Sequence, residues 1–205
     1  MSRRAGLDRL TVVRTAETVA DASFTGLQEL SLAEVAQRLG VRTPSLYKHI
    51  DGLPALRREL RLIALLRLYD ILADAAVGRS RDTAIRAIAD AYRQFARQHP
   101  GLYAAALQAP EKDDAELKQA GERVVGVVVR VLEGYGPQGN DALHAVRALR
   151  SVLHGFVSLE AAGAFGLPLD LDTSYQRLVD LFIDGLASTA EAARTGRAAS
   201  EKGGM

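Results

Sequence analysis

The stretch Ser31–Leu60, SLAEVAQRLGVRTPSLYKHIDGLPALRREL, decides the fold. Ser31 is a good N-cap, and Glu34 three residues on completes a capping box. Leu32, Val35, Ala36 and Leu39 follow at helical spacing, with Gln37 and Arg38 on the outer face. Gly40 supplies the positive φ that ends this helix, and Val41 tucks in behind it. Thr43 is placed to cap the next helix, and Pro44 suits its first turn, where no N–H is needed. Leu46 and Ile50, four apart, face inward, while Ser45, Tyr47, Lys48 and His49 project from the other sides. A helix this short is unstable alone and leans on its neighbours. A third helix starts at once after it. This is the layout of a helix-turn-helix DNA reader.

Upstream, Asp8 to Phe24 places Leu10, Val13, Ala16, Thr18, Val19, Ala20 and Phe24 in one helical stripe, broken at Thr25-Gly26. The small core predicted from both segments is Val13, Ala16, Val19, Ala20, Leu27, Leu32, Val35, Leu39, Leu46 and Leu56.

With these residues in place, positions 8 to about 60 resemble the N-terminal domain of the TetR family of bacterial transcriptional regulators. The matching residues are Gly26-Leu27, Ser31-Leu32, Val35-Ala36, Leu39-Gly40-Val41, Pro44-Ser45-Leu46-Tyr47 with His49, and Leu56. The resemblance implies that Pro44–His49 is the recognition helix. It also implies that phosphate and base contacts fall on Arg42, Thr43, Pro44, Ser45, Tyr47, Lys48 and His49. Two positions depart from the pattern. Leu53, with Asp51 close by, stands where the family often has a phosphate-binding lysine, and Arg42 stands where a serine or threonine is common. An arginine there can pair bidentately with guanine.

The chain has 205 residues, 48% of them hydrophobic, enough for a small domain joined to a larger one. No run of about 20 residues lacks charge, so no membrane span is expected. No signal peptide is visible in the sequence given. The absence of cysteine excludes disulfides and thiol chemistry and fits a cytoplasmic protein. Net charge is +1, but residues 1–67 carry eleven Lys/Arg against seven Asp/Glu, a net +4, and the remainder carries a net −3. Arg3, Arg4, Arg9 and Arg14 crowd the beginning. A basic reader on an acidic body suits phosphate binding, and a solvated arm is the alternative.

The remaining chain reads as helices over 53–77, 82–98, 102–108, about 113–134, 140–165 and 173 to about 194. The fold class is all-α. An N-terminal three-helix helix-turn-helix DNA-binding domain (1–52) precedes a larger helical ligand-binding and dimerisation domain (53–194), and 195–205 reads as a disordered tail. Gly134-Tyr135-Gly136-Pro137-Gln138-Gly139 matches G-x-G-x-x-G, with Glu160 about twenty residues on. The dinucleotide reading fails, because the preceding valine run continues a charged helical segment and a proline sits inside the loop. A helix end, a loop and a new helix capped by Asn140 or Asp141 are expected instead.

Ala148, Ser151, Gly155, Ser158 and Ala162 recur at steps of three and four beside Val146, Leu149, Leu153, Phe156 and Val157. Leu178, Leu181, Phe182 and Leu186 offer a second apolar face. Two such helices from each of two subunits make a four-helix interface about a two-fold axis; burial within one chain is the alternative. Leu153-His154-Gly155-Phe156-Val157-Ser158-Leu159-Glu160 resembles the WHG-type C-terminal class of the family, without its tryptophan. Tyr69, Tyr92, Phe95 and Tyr103, with His154, fall in the region that in the family encloses a small-molecule pocket. Aromatic walls with a few hydroxyls suit a mostly apolar effector, and ordinary core is the other reading of each residue.

No G-x-S-x-G or H-E-x-x-H is present, and the four histidines lack metal-ligand spacing, so neither an enzyme nor a metal or cofactor site is expected. The partners implied are double-stranded operator DNA, a small-molecule effector and a second copy of the chain. The alternative is a helical binding or scaffold protein that has lost DNA binding, with Leu53 and Asp51 as its support.

Overall fold

The computed structural model describes residues 7–22, 24–109 and 113–202. Among these there is no strand. The helices are α1 (Arg9–Ala20), α2 (Gly26–Glu29), α3 (Leu32–Leu39), α4 (Gly52–Ala76), α5 (Arg81–Gln98), α6 (Pro100–Leu107), α7 (Ala115–Glu133), α8 (Gly139–Ala161) and α9 (Leu171–Lys202), with a 3-10 helix at Thr43–Lys48. The all-α reading therefore holds. Two compact units divide the chain, Met1–Leu68 with Phe95–Glu122 and Tyr69–Gln94 with Arg123–Met205.

In the first unit, Asp8 caps α1 by accepting the Thr11 N–H at 2.7 Å. Val12, Val13, Ala16, Val19 and Ala20 are buried. Leu10, placed in the stripe from the sequence, is 56% exposed, because it lies in the first turn of α1 off the buried side formed by Val12, Val13, Ala16, Val19 and Ala20. The break expected at Thr25-Gly26 is instead the start of α2, a helix too short for a periodic signal. Ser31 caps α3 as expected, its Oγ accepting the Glu34 N–H at 3.2 Å, and Gly40 ends it at φ 66°. Leu39 is only half-buried; the other nine members of the predicted small core are buried.

The buried residues of α4 within Leu56–Leu72 recur at strict steps of four: Leu56, Leu60, Ala64, Leu68 and Leu72. Ile63 and Leu66 flank that stripe and are half-buried. Helix α6 begins at Pro100, two residues before the expected Leu102, because proline fits a first helical turn. Its N-terminus docks on the end of α1. Asp21 Oδ1 accepts the Leu102 N–H at 2.8 Å, and Asp21 Oδ2 pairs with His99 Nδ1 at 2.7 Å. A Cβ built on Gly101 would lie 1.9 Å from the Ala20 carbonyl oxygen, and one built on Gly26 would lie 1.9 Å from the same oxygen. Only glycine, with a Cα hydrogen in that direction, permits either approach.

In the second unit, Tyr175 is buried and donates its hydroxyl to the Ala89 carbonyl at 2.6 Å. Arg93 is buried beside the Phe156 and Tyr175 rings, donating to Glu160 at 2.6 and 2.9 Å and pairing with Asp172 at 2.8 Å. Glu160 is thus a structural anion partner, not a ribose ligand. The Gly134–Gly139 segment is a loop between two helices, and α8 takes Gln138 as its N-cap in place of Asn140 or Asp141. Arg81, at φ 49°, donates to the Gly134 carbonyl at 3.1 Å and lies 4.6 Å from the Tyr135 ring centre. Tyr135 donates its hydroxyl to Asp82. Helix α8 ends at Ala161, short of Phe165, where Gly163 adopts φ 64°. Helix α9 continues past Arg194 to Lys202, through an alanine-rich sequence of high helix propensity.

Candidate nucleic-acid interface

The candidate recognition segment follows from the residues either side of Gly40. Val41 N–H returns to the Ala36 carbonyl at 3.0 Å, closing the end of α3. The chain then enters Thr43–Lys48, which is wound as a 3-10 helix and not as the α-helix expected over Pro44–His49. Its bonds run from Ser45 N–H to the Arg42 carbonyl at 2.9 Å and from His49 N–H to the Leu46 carbonyl at 2.8 Å. Thr43 is inside the helix; Arg42 occupies the N-cap position, and no side chain caps it. Three residues per turn put Thr43, Leu46 and His49 on one side and spread the rest over the other two.

Leu46 and Ile50 are buried and anchor the segment. Around them Arg42, Pro44, Tyr47 and Lys48 are exposed, Tyr47 at 60%, and Thr43, Ser45 and His49 are half-buried. All seven residues inferred from the resemblance therefore lie on one short, continuous segment. His49 lies near Asp8, whose carboxyl is held below its ordinary range mainly by the Thr11 N–H and in lesser part by this histidine. At the start of α4, Asp51 is exposed and Leu53 half-buried.

The basic excess of this region is used differently from what the sequence suggests. Arg9 pairs with Glu59 at 2.8 Å. Arg58 holds Asp114 at 2.6 and 2.8 Å and Glu116 at 2.8 Å, which keeps the Asp114 carboxyl low and the guanidinium charged. Arg61 donates to the Ala109 carbonyl at 2.6 Å, Arg67 to Glu17 at 2.5 and 3.0 Å, and Arg57 to the Gln28 and Leu30 carbonyls. Among the described residues, the exposed cations of the reader with no such partner are Arg14, Arg38, Arg42 and Lys48. Arg3 and Arg4 lie outside the described residues. Sequence reasoning missed the internal role of the α4 arginines, whose only local signal is that Arg57 and Arg61 flank the buried stripe one position on.

The aromatic set is divided. Tyr69, Tyr92 and His154 belong to the second unit, Phe95 and Tyr103 to the first. Tyr92, Phe95 and Tyr103 are buried, Tyr103 against Phe24 with ring centres 5.6 Å apart. Tyr69 is half-buried, with the Arg123 guanidinium 4.1 Å from its ring centre. His154 is half-buried beside Ser158 Oγ at 3.3 Å, and burial pushes its imidazole below its ordinary pKa. A cavity of about 830 Å³ lies elsewhere, between α8 and α9, with Tyr135, Asp141, His144, Ala148 and Phe182 in its wall and none of the aromatic set. Of the small-residue stripe, Ala148, Ser151 and Ala162 are exposed and Gly155 and Ser158 half-buried; on the second apolar face Leu178 and Phe182 are half-buried.

A buried hydrophobic anchor under an exposed polar segment after a glycine turn is the geometry of a helix-turn-helix unit. Comparison with known proteins places it further. Residues 85–182 match the family model described as "Tetracyclin repressor-like, C-terminal domain". The chain is 38% identical over 188 residues to the uncharacterised HTH-type transcriptional regulator YobS of Bacillus subtilis (strain 168), covering 91% of this chain and 96% of that one. It is 37% identical over 174 residues to an uncharacterised HTH-type transcriptional regulator of Mycobacterium tuberculosis, covering 84% of this chain and 78% of that one. A protein of unknown function from Rhodococcus sp. RHA1 superposes with a TM-score of 0.75 at 26% identity, over 91% of this chain and 99% of that one. A TetR variant from Acinetobacter baumannii AYE, solved with minocycline, shares the fold with a TM-score of 0.65 at 21% identity, over 90% and 99% of the two chains. The chain belongs to the TetR family of transcriptional regulators. Among the described residues no helix is long and apolar enough to cross a membrane.

Proposed function

We propose that the chain acts in the cytoplasm as a homodimeric repressor, bound to double-stranded operator DNA and released by a small, mostly apolar effector. Residues 1–52 read DNA through Arg42, Thr43, Pro44, Ser45, Tyr47, Lys48 and His49, and residues 53–194 hold effector and partner. The observation that carries this reading is the exposed set Arg42, Tyr47 and Lys48, unpaired among the described residues, around buried Leu46. The dimer reading is supported by the accessible small residues of α8, by the open space beside Gly155, and by Leu181, 71% exposed on α9. The effector reading is supported within the second unit by Tyr69 and His154, both half-buried.

A gel shift with the DNA upstream of the chain's own gene tests DNA binding; absence of a salt-sensitive complex would favour the scaffold alternative that Leu53 and Asp51 support. A thermal-shift screen identifies an effector. Calorimetry with and without operator then tests release, since by linkage DNA weakens effector binding by the same factor that effector weakens DNA binding. Equal affinities rule out the release mechanism.

A further inference from the structure

Helix α4 is fastened to three other parts of its unit by arginines. Arg67 reaches Glu17 on α1, Arg58 and Arg61 reach Asp114, Glu116 and Ala109, and Arg57 reaches the end of α2. The last contact bears most directly on the reader. Arg57 Nη2 donates to the Gln28 carbonyl at 2.6 Å and to the Leu30 carbonyl at 3.0 Å. These carbonyls close α2 and immediately precede Ser31, the N-cap of α3. Helix carbonyl ends carry partial negative charge, so a cation there holds by charge as well as by hydrogen bonding. Arg57 Nε is buried with no hydrogen-bond partner.

We propose that Arg57 is a positioning residue for DNA recognition: a cation delivered by α4 that fixes the α2–α3 corner and so sets the attitude of Thr43–Lys48. Connection to the recognition segment is short. Ser31 starts α3, α3 ends at Gly40, and Leu46 buries the segment in the same core as Val35 and Ala36. Arg57 itself touches no nucleic acid in this scheme. Its loss leaves Arg14, Arg38, Arg42 and Lys48 in place, so sequence-independent attraction to phosphate survives while base contacts fall out of register. The inference rests on Thr43–Lys48 being the DNA-reading segment.

The test uses the full chain, a duplex selected by it from a random-sequence pool, and an unrelated duplex of equal length. Arg57→Met keeps the unbranched stem and removes the donors. It should lower affinity for the selected duplex by roughly tenfold, the scale of one lost base contact, with affinity for the unrelated duplex and the folded fraction unchanged. Arg57→Lys, which retains the charge, should recover part of the loss. A purely structural role would lower both affinities together with the folded fraction, and that result, or an unchanged ratio of the two affinities, overturns the proposal. If Arg57→Met does not fold, the same ratio measured on Arg57→Lys decides, and an unchanged ratio overturns the proposal there too. Tyr47→Ala separates the two levels. Weakened binding by Tyr47→Ala with an intact ratio in the Arg57 variants refutes only the positioning role, whereas wild-type binding by Tyr47→Ala refutes the reading segment itself.

Discussion

Gly101→Ala places a methyl group where the structure has room only for a hydrogen. The new Cβ would sit 1.9 Å from the Ala20 oxygen, 2.4 Å from its carbon and 2.9 Å from the Asp21 nitrogen, all backbone atoms that no side-chain rotation moves aside. Ordinary contact begins near 3.4 Å, so α6 and the end of α1 must part by about 1.5 Å. That displacement exceeds the tolerance of the Leu102 N–H to Asp21 bond at 2.8 Å and of the His99–Asp21 contact at 2.7 Å. Overpacking costs about 1–3 kcal/mol, and a hydrogen bond to a charged acceptor contributes about 1.5–3 kcal/mol. A loss of about 3–5 kcal/mol is expected, or roughly 6–20 °C in Tm for a chain of this size. Thermal unfolding followed by circular dichroism measures it. Asp21→Ala, which removes both polar contacts without a clash, should fall between wild type and Gly101→Ala. Gly26→Ala strikes the same Ala20 oxygen, so the double variant should lose less than the sum of the singles. A Gly101→Ala protein melting within about 2 °C of wild type would refute the argument.

Tyr47→Ala and Lys48→Ala should each weaken operator binding with the unfolding transition unchanged, and Lys48→Ala should reduce the salt slope by about one, as titrations at several salt concentrations would show. A Cβ built on Gly155 meets nothing within 4 Å inside its own subunit, so Gly155→Leu should leave monomer folding intact and convert dimers to monomers; sedimentation that still finds dimers sinks the small-residue interface. Burial holds the His154 pKa in the folded state below its unfolded value near 6.5. The unfolded chain therefore binds more protons, and stability should fall as pH drops through about 6.5 toward the folded pKa. His154→Gln should remove that part of the pH dependence in denaturant titrations, and identical slopes in both proteins would contradict it.

What was legible in the sequence was local. The Ser31 cap, the Gly40 stop, the inward pair Leu46 and Ile50, and the main extent of α4 all rest on neighbours within one or two turns. Tertiary partners were hidden. Gly26 reads as a breaker, but its reason is the Ala20 carbonyl, and the same carbonyl lies far from Gly101 in the chain. Arg57 and Arg58 stand side by side in the sequence, yet their partners stand 27 and 29 residues before and 56 and 58 residues after them. The 3-10 winding of Thr43–Lys48 was missed because Pro44 and the spacing of Leu46 and Ile50 suit either helix. The candidate reading segment was legible as a set of residues; its anchoring by α4 was not.

The internal engagement of Arg9, Arg57, Arg58, Arg61 and Arg67 also shapes how such a regulator searches a genome. Non-specific affinity for duplex DNA grows with the number of phosphates neutralised, and unrelated sequence acts as a vast reservoir of competing sites. A reader whose described free cations are Arg14, Arg38, Arg42 and Lys48 holds that reservoir lightly. On the proposed DNA-reading role, each encounter of those described cations with irrelevant DNA is brief, and a larger share of the molecules stays available to the operator. Fewer copies then suffice to keep it occupied.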